Sequence, residues 1–105
     1  MAVQDVTVDV LDSALASGAT LIDVREPAEY SEAHIEGSTL IPLSTVPDHV
    51  DRFRSDSTVY VMCRSGGRSL AACEFVSSLG IDVVNVEGGI MAWIASGRAV
   101  ATGDS

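Results

Sequence analysis

The stretch that most constrains this chain is Thr58-Val-Tyr-Val-Met-Cys63-Arg64-Ser65-Gly66-Gly67-Arg68-Ser69-Leu70-Ala71-Ala72. Val59 to Met62 is β-branched, aromatic and uncharged, which predicts a buried strand. Leu70, Cys73, Glu74, Phe75, Val76 and Leu79 then carry a helix with one broad apolar face, and Gly80 is placed to end it. A strand, a short glycine-rich loop and a helix put Cys63 at the carboxyl end of a central strand, facing a helix N-terminus. In open α/β sheets ligands bind in that crevice.

The loop's composition points to anion chemistry. Gly66 and Gly67 permit positive φ and put no Cβ in the way. Successive backbone N–H groups can then turn inward around an anion, and the helix dipole adds partial positive charge there. Arg64 and Arg68 add two full charges. All of these favour thiolate over thiol and predict a cysteine pKa below its free value of about 8.5. An activated thiolate in such a cradle is a nucleophile suited to an anionic substrate. The competing reading is an inert cysteine that merely ends a strand.

Strand-like and helix-like segments alternate along the rest of the chain, which predicts a parallel sheet with helices on both faces. Strands are expected at Asp5–Val8, Thr20–Val24, Thr39–Ile41 and Asp82–Val86. Asp9 is a candidate N-cap for a helix carrying Val10, Leu11, Ala14 and Leu15. Pro27 suits the first turn of a short helix through Ala33. Pro42 confines the third strand to a sheet edge or a strand end. Ser44 or Thr45 opens a short charged helix with Val46, Val50 and Phe53. Gly88-Gly89 turns into a last helix with Ile90, Met91, Trp93 and Ile94, where Met91 and Trp93 read as core. The tail from Ala101 to Ser105 is expected to fray.

Three stretches together resemble the rhodanese family of sulfurtransferases. Cys63-Arg64-Ser65-Gly66-Gly67-Arg68 is similar to its active-site loop, C-R-x-G-x-R/T. Asp23-Val24-Arg25 with Glu29-Tyr30, His34-Ile35, Gly37-Ser38 and Ile41-Pro42 is similar to its D-V-R…E-Y…G-H-I…G-A…N-I-P signature. Gly88-Gly89-Ile90-Met91-Ala92-Trp93 is similar to its closing G-G-x-x-A-W. The resemblance spans about residues 5–100 of a single expected domain, 1–105. It implies a five-stranded parallel sheet in the order 1-5-4-2-3, flanked by helices on both faces. It also implies sulfur transfer from thiosulfate or a related small anionic donor, through a Cys63 persulfide, to cyanide or a thiol, including a thiol-carrying protein.

In that reading Cys63 is catalytic. Arg64, Ser65, Gly66, Gly67 and Arg68 bind substrate, with Arg64 reaching outward to the donor and Arg68 closing the loop and keeping it electropositive. Asp23, Arg25 and Glu29 brace the neighbouring loops, and Gly88-Gly89 lies near the pocket mouth. No metal or organic cofactor is implied, because the cysteine itself carries the sulfur. His34 is expected to bond backbone, His49 to lie at the surface, and Cys73 to be a buried small hydrophobe, with a resolving role as the alternative. The chain departs from the family pattern at Ala33 for glycine, Ser38 for alanine, Leu40 for asparagine or histidine, and Arg98 for proline or leucine. Two other functional classes remain open: a phosphatase or arsenate reductase of related fold, and a noncatalytic binding module.

Net charge bounds the partners. Six arginines, no lysine and fifteen acids give −9, which argues against nucleic acid. No stretch approaches the length of a membrane span, and residues 1–5 lack the features of a signal peptide. Two cysteines make no disulfide framework. A reducing cytoplasmic setting is the expectation.

Overall fold

The computed structural model describes residues 3–103. Its strands are β1 (Gln4–Val6), β2 (Thr20–Asp23), β3 (Thr39–Leu40), β4 (Val59–Met62) and β5 (Val84–Val86). They form one sheet in the order β1-β5-β4-β2-β3, every pair parallel. The expected α/β architecture and strand order are present. β4 lies in the middle, with β2 and β5 on either side, so its carboxyl end opens into the centre of one sheet edge.

Period-two alternation explains how both faces are covered. Val59, Val61 and Cys63 point to one side with Ile22, Val46, Phe53, Ala72, Cys73 and Val76. That layer is built by α3 (Gly67–Ser78) and a 3₁₀ segment, Leu43–Phe53. Met62 points to the other side with Val8, Leu11, Leu21, Val86, Ile90 and Trp93, beneath α1 (Val8–Ala16) and α4 (Gly89–Ala95). The short α2 (Pro27–Glu32) carries a capping box formed by Glu26 and Glu29, with proline in its first turn. No helix among the described residues is long and apolar enough to cross a membrane.

Several local expectations need correction. α1 is capped by Thr7, whose hydroxyl accepts from the Val10 N–H, so β1 ends at Val6 and Asp9 lies in the first helical turn. A carboxylate there still favours the helix dipole. The segment expected to open at Ser44 or Thr45 is 3₁₀ rather than α and kinks at His49, with Pro47 inside it. Proline has no N–H to give and crowds the preceding turn. The apolar face of α3 is narrower than its composition suggests, because Phe75 and Leu79 are exposed, as are Met91 and Ile94 on α4. Only one stripe of each helix meets the sheet.

The C-terminal residues do not fray from Ala101. Ala101 and His34 exchange both backbone hydrogen bonds, at 2.9 and 2.7 Å, and the Gly103 N–H donates to the Ser31 carbonyl at 2.8 Å. The same expectation for Asp104 and Ser105 falls outside the described residues. Arg98 ties this segment down: it pairs with Asp9 and Asp12 of α1 and lies 5.4 Å from the Trp93 ring centroid.

Candidate active site

β4 delivers Cys63 to the loop that becomes the start of α3. Gly66 is the N-cap of that helix, at φ 114° and ψ −16°. Only glycine adopts this backbone readily. The conformation turns the Gly66 N–H toward Cys63, where it donates to Sγ at 3.1 Å. The buried Ser69 hydroxyl is 3.4 Å from the same sulfur. Gly67 is already helical and takes no positive φ, so only one of the two glycines supplies the left-handed turn.

These donors set the state of the thiol. Burial pushes it up, but hydrogen bonds outweigh burial: first the Ser69 hydroxyl, then the N–H groups of Ser69, Gly66 and Ser65. The net result is a Cys63 pKa below the ordinary thiol value. The expected direction is present, although its leading cause is a side chain outside the six-residue motif. Cys73, buried in the middle of α3, shows the opposite case. Desolvation, then the charges of Asp5, Glu74 and Cys63, push it up to about 12.

The first turn of α4 lies over the loop. Gly88 and Gly89 both have positive φ, 78° and 54°. They aim the next two N–H groups at the loop carbonyls: Ile90 donates to Cys63 O at 2.9 Å and Met91 to Arg64 O at 3.1 Å. A Cβ on Gly89 would fall inside contact distance of both of those carbonyl oxygens. The G-G pair thus presses one helix start onto the chain leaving β4.

The arginines divide their tasks. Arg68 donates two hydrogen bonds to the Glu29 carboxylate, at 2.7 and 2.8 Å. That bidentate pair holds Glu29 down to about 2 and raises the Arg68 pKa. Arg68 therefore ties the loop to α2, and it shares its charge there with Glu29. Arg64 is exposed and joins none of the ion pairs found among the described residues. Ser65 is exposed beside it. Arg25 and Asp23 form a buried pair at 2.8 Å, and Arg25 also donates to the carbonyls of Glu29 and Ala33. Ala33 itself has φ −166°, extended backbone open to any residue, so the missing family glycine has no conformational cost.

The remaining candidates lie apart from the sulfur. His34 Nδ1 is 2.8 Å from the Tyr30 carbonyl and its ring stacks on Tyr30. His49 is exposed. No group of three or more His, Cys, Asp or Glu that could hold a metal occurs among the described residues. A cleft at the opposite, amino-terminal end of β4 is lined by Phe53, Arg54, Ser55, Asp56, Gly80, Ile81 and Asp82 and touches none of the loop.

Two site residues escape a reading of the motif alone. Ser69 stands one place beyond Arg68, where a helical turn brings its hydroxyl back over the loop. Asn85 lies on β5, and its amide reaches the Gly66 carbonyl at 3.4 Å. A lone asparagine between Val84 and Val86 in an apolar strand is the signal that could have marked it.

Known proteins resemble the chain in sequence and in fold. The family model described as Rhodanese-like domain matches residues 7–96. A protein named sulfurtransferase from Allochromatium vinosum is 35% identical over 81 residues, covering 76% of this chain and 76% of that protein. Thiosulfate sulfurtransferase GlpE from Tolumonas auensis is 28% identical over 74 residues, covering 70% of each. The crystal structure of a rhodanese-related protein from Thermoplasma volcanium superposes with a TM-score of 0.86 at 37% identity, covering 93% of this chain and 97% of that one.

Proposed function

Because the chain belongs to the rhodanese-like domain family, we propose that it is a sulfurtransferase that carries sulfane sulfur on Cys63. The observation that supports this most is the Cys63 sulfur itself, which faces the Gly66 N–H and the Ser69 hydroxyl and has a lowered pKa. A thiolate held by donors is prepared to attack and to bear charge again after transfer.

The reaction runs in two halves. The Cys63 thiolate attacks the outer sulfur of thiosulfate or a similar anion. A new S–S bond forms on Cys63, the donor's own S–S bond breaks, and its electron pair leaves with sulfite. The persulfide stays ionised, so charge balances without a proton. An acceptor thiolate, or cyanide in an assay, then attacks the outer sulfur and releases the Cys63 thiolate. Exposed Arg64 meets the anionic donor, and the inward N–H groups of the loop hold the terminal sulfur. Arg68, engaged by Glu29, keeps the ring closed.

Loop length favours this reading over phosphatase chemistry. Cys63 and Arg68 enclose four residues, whereas phosphatases of related fold use C-x5-R. The shorter ring suits one sulfur atom, and the Arg68 fork that would clasp a phosphate is occupied by Glu29. Initial rates with thiosulfate, mercaptopyruvate and an aryl phosphate, measured side by side, test the proposal. Parallel double-reciprocal lines with a sulfur donor are expected, together with one added sulfur on the Cys63 peptide by mass spectrometry. Turnover of the aryl phosphate with no turnover of any sulfur donor would overturn it.

A further inference from the structure

Gly66 is the pivot of the loop. Its N–H donates to the Cys63 sulfur while its carbonyl gathers donors on the other side. That oxygen accepts from the Leu70 N–H at 3.1 Å, the Ser69 hydroxyl at 3.1 Å and the Asn85 amide at 3.4 Å. A carbonyl has two lone pairs, so three donors are one more than it holds well. Ser69 in turn has one proton and two acceptors in reach, the Gly66 carbonyl and the Cys63 sulfur. Once Cys63 is ionised, the bond to sulfur is the stronger choice, because hydrogen bonds to charged acceptors are roughly twice as strong as neutral ones. The carbonyl must then be held by the other two donors.

Asn85 is built for that substitution. Its Nδ2 faces two oxygens, Asp5 Oδ1 at 2.9 Å and Gly66 O at 3.4 Å. The reversed amide would set oxygen against oxygen on both sides, so the network fixes its orientation. Asn85 Oδ1 is buried and makes no hydrogen bond among the described residues. A buried orphan acceptor is costly, and the side chain is therefore of use only at its donor end.

We propose that Asn85, braced by Asp5 of β1, is a positioning residue that holds the Gly66 carbonyl and so releases the Ser69 hydroxyl to the Cys63 sulfur. The inference concerns the nucleophile of the reaction proposed above. Its test reads ionisation rather than turnover, so the two can fail separately. Charged or titratable groups around the sulfur are otherwise Arg64 and Arg68 on the loop, Glu29 on α2, the pair formed by Asp23 at the end of β2 with Arg25 just beyond it, and Cys73 on α3. Changing Asn85 leaves all of their charges in place.

The experiment follows iodoacetamide alkylation of the Cys63 peptide against pH, by mass spectrometry on the full chain. Ser69→Ala should raise the midpoint by about one pH unit, and Asn85→Leu by about half a unit. The double variant should shift no further than Ser69→Ala alone, because the Asn85 effect passes through that hydroxyl. An unmoved midpoint in Asn85→Leu, or shifts that add in full, would overturn the proposal. If Asn85→Leu does not fold, Asp5→Ala at an exposed strand position loosens the same amide. Losing the Asp5 charge by itself would lower the midpoint, so a rise supports the link, and a fall or no change overturns it.

Discussion

Two thiols ten residues apart share one apolar layer and behave oppositely. Cys63 and Cys73 are both buried in the cluster between β4 and α3. Around Cys73 burial acts unopposed and pushes the thiol up to about 12. Around Cys63 burial is just as real, yet four hydrogen-bond donors reverse its sign. The difference is backbone direction. Inside α3 every N–H is spent on the preceding turn, whereas the first N–H groups of a helix have no partner within it. A nucleophile can be made at the start of the helix and not in its middle.

The largest expected effect separates the two by function. Cys63→Ser should reduce sulfur transfer to background, while Cys73→Ser should retain most of it. The latter should lose about 1–3 kcal/mol of stability, because its hydroxyl needs a partner in an apolar site. Denaturant melts and thiosulfate assays of both variants check this. A disulfide between the two residues during turnover would instead assign Cys73 a resolving role.

Chemical selectivity gives the next largest contrast. With Cys63 below the ordinary thiol value and Cys73 near 12, their thiolate fractions at pH 7 should differ by at least about a thousandfold. Iodoacetamide in the native state should label Cys63 alone, and the rate should fall as pH drops below the Cys63 pKa. Equal labelling of both peptides would remove the comparison on which the site rests.

Gly89→Ala attacks the geometry that sets Cys63 apart. The new Cβ meets the carbonyls of Cys63 and Arg64, and φ is 54°. A cost of about 3 kcal/mol is expected, with sulfur transfer falling further than stability alone explains. Gly67→Ala is the control, since nothing lies within 4 Å of its Cβ position and its φ is not positive. It should keep the parent's stability.

The smallest effect is a pH-dependent one. Glu29 titrates near 2 when folded, below its ordinary 4.5, because Arg68 holds the charged form. A depressed carboxylate stabilises the fold above its unfolded pKa, and that stability is lost as pH falls through the folded one. Both partners are about a third exposed, so solvent screening leaves roughly 1 kcal/mol. Glu29→Gln should therefore be less stable than the parent at pH 7, and the gap should close between pH 4.5 and 2. A gap that persists at pH 2 would point to packing rather than charge.

Much of the site could be read in advance because it is local. The apolar run of β4, the glycine after Ser65 and the helix beyond it specify Cys63 at a strand end through φ/ψ preference and periodicity alone. Local pattern misled where burial was decisive. Phe75, Leu79 and Met91 have core-like side chains, yet they lie on helix faces that meet no second layer. The tail looked weak in composition, but Ala101 found an extended partner in His34.

By itself the sequence determined the strand–loop–helix unit, the parallel α/β class and the place of Cys63 at the end of the strand. Those follow from backbone geometry over a few residues. Tertiary structure decided what that thiol feels. Arg68 turns to Glu29, 39 residues away, and Asn85 reaches back to Asp5, 80 residues away. The start of α4 caps the chain that leaves β4. Each of these contacts depends on β5 and β2 flanking β4, and that order follows from burying both sheet faces at once, which no short window of sequence encodes.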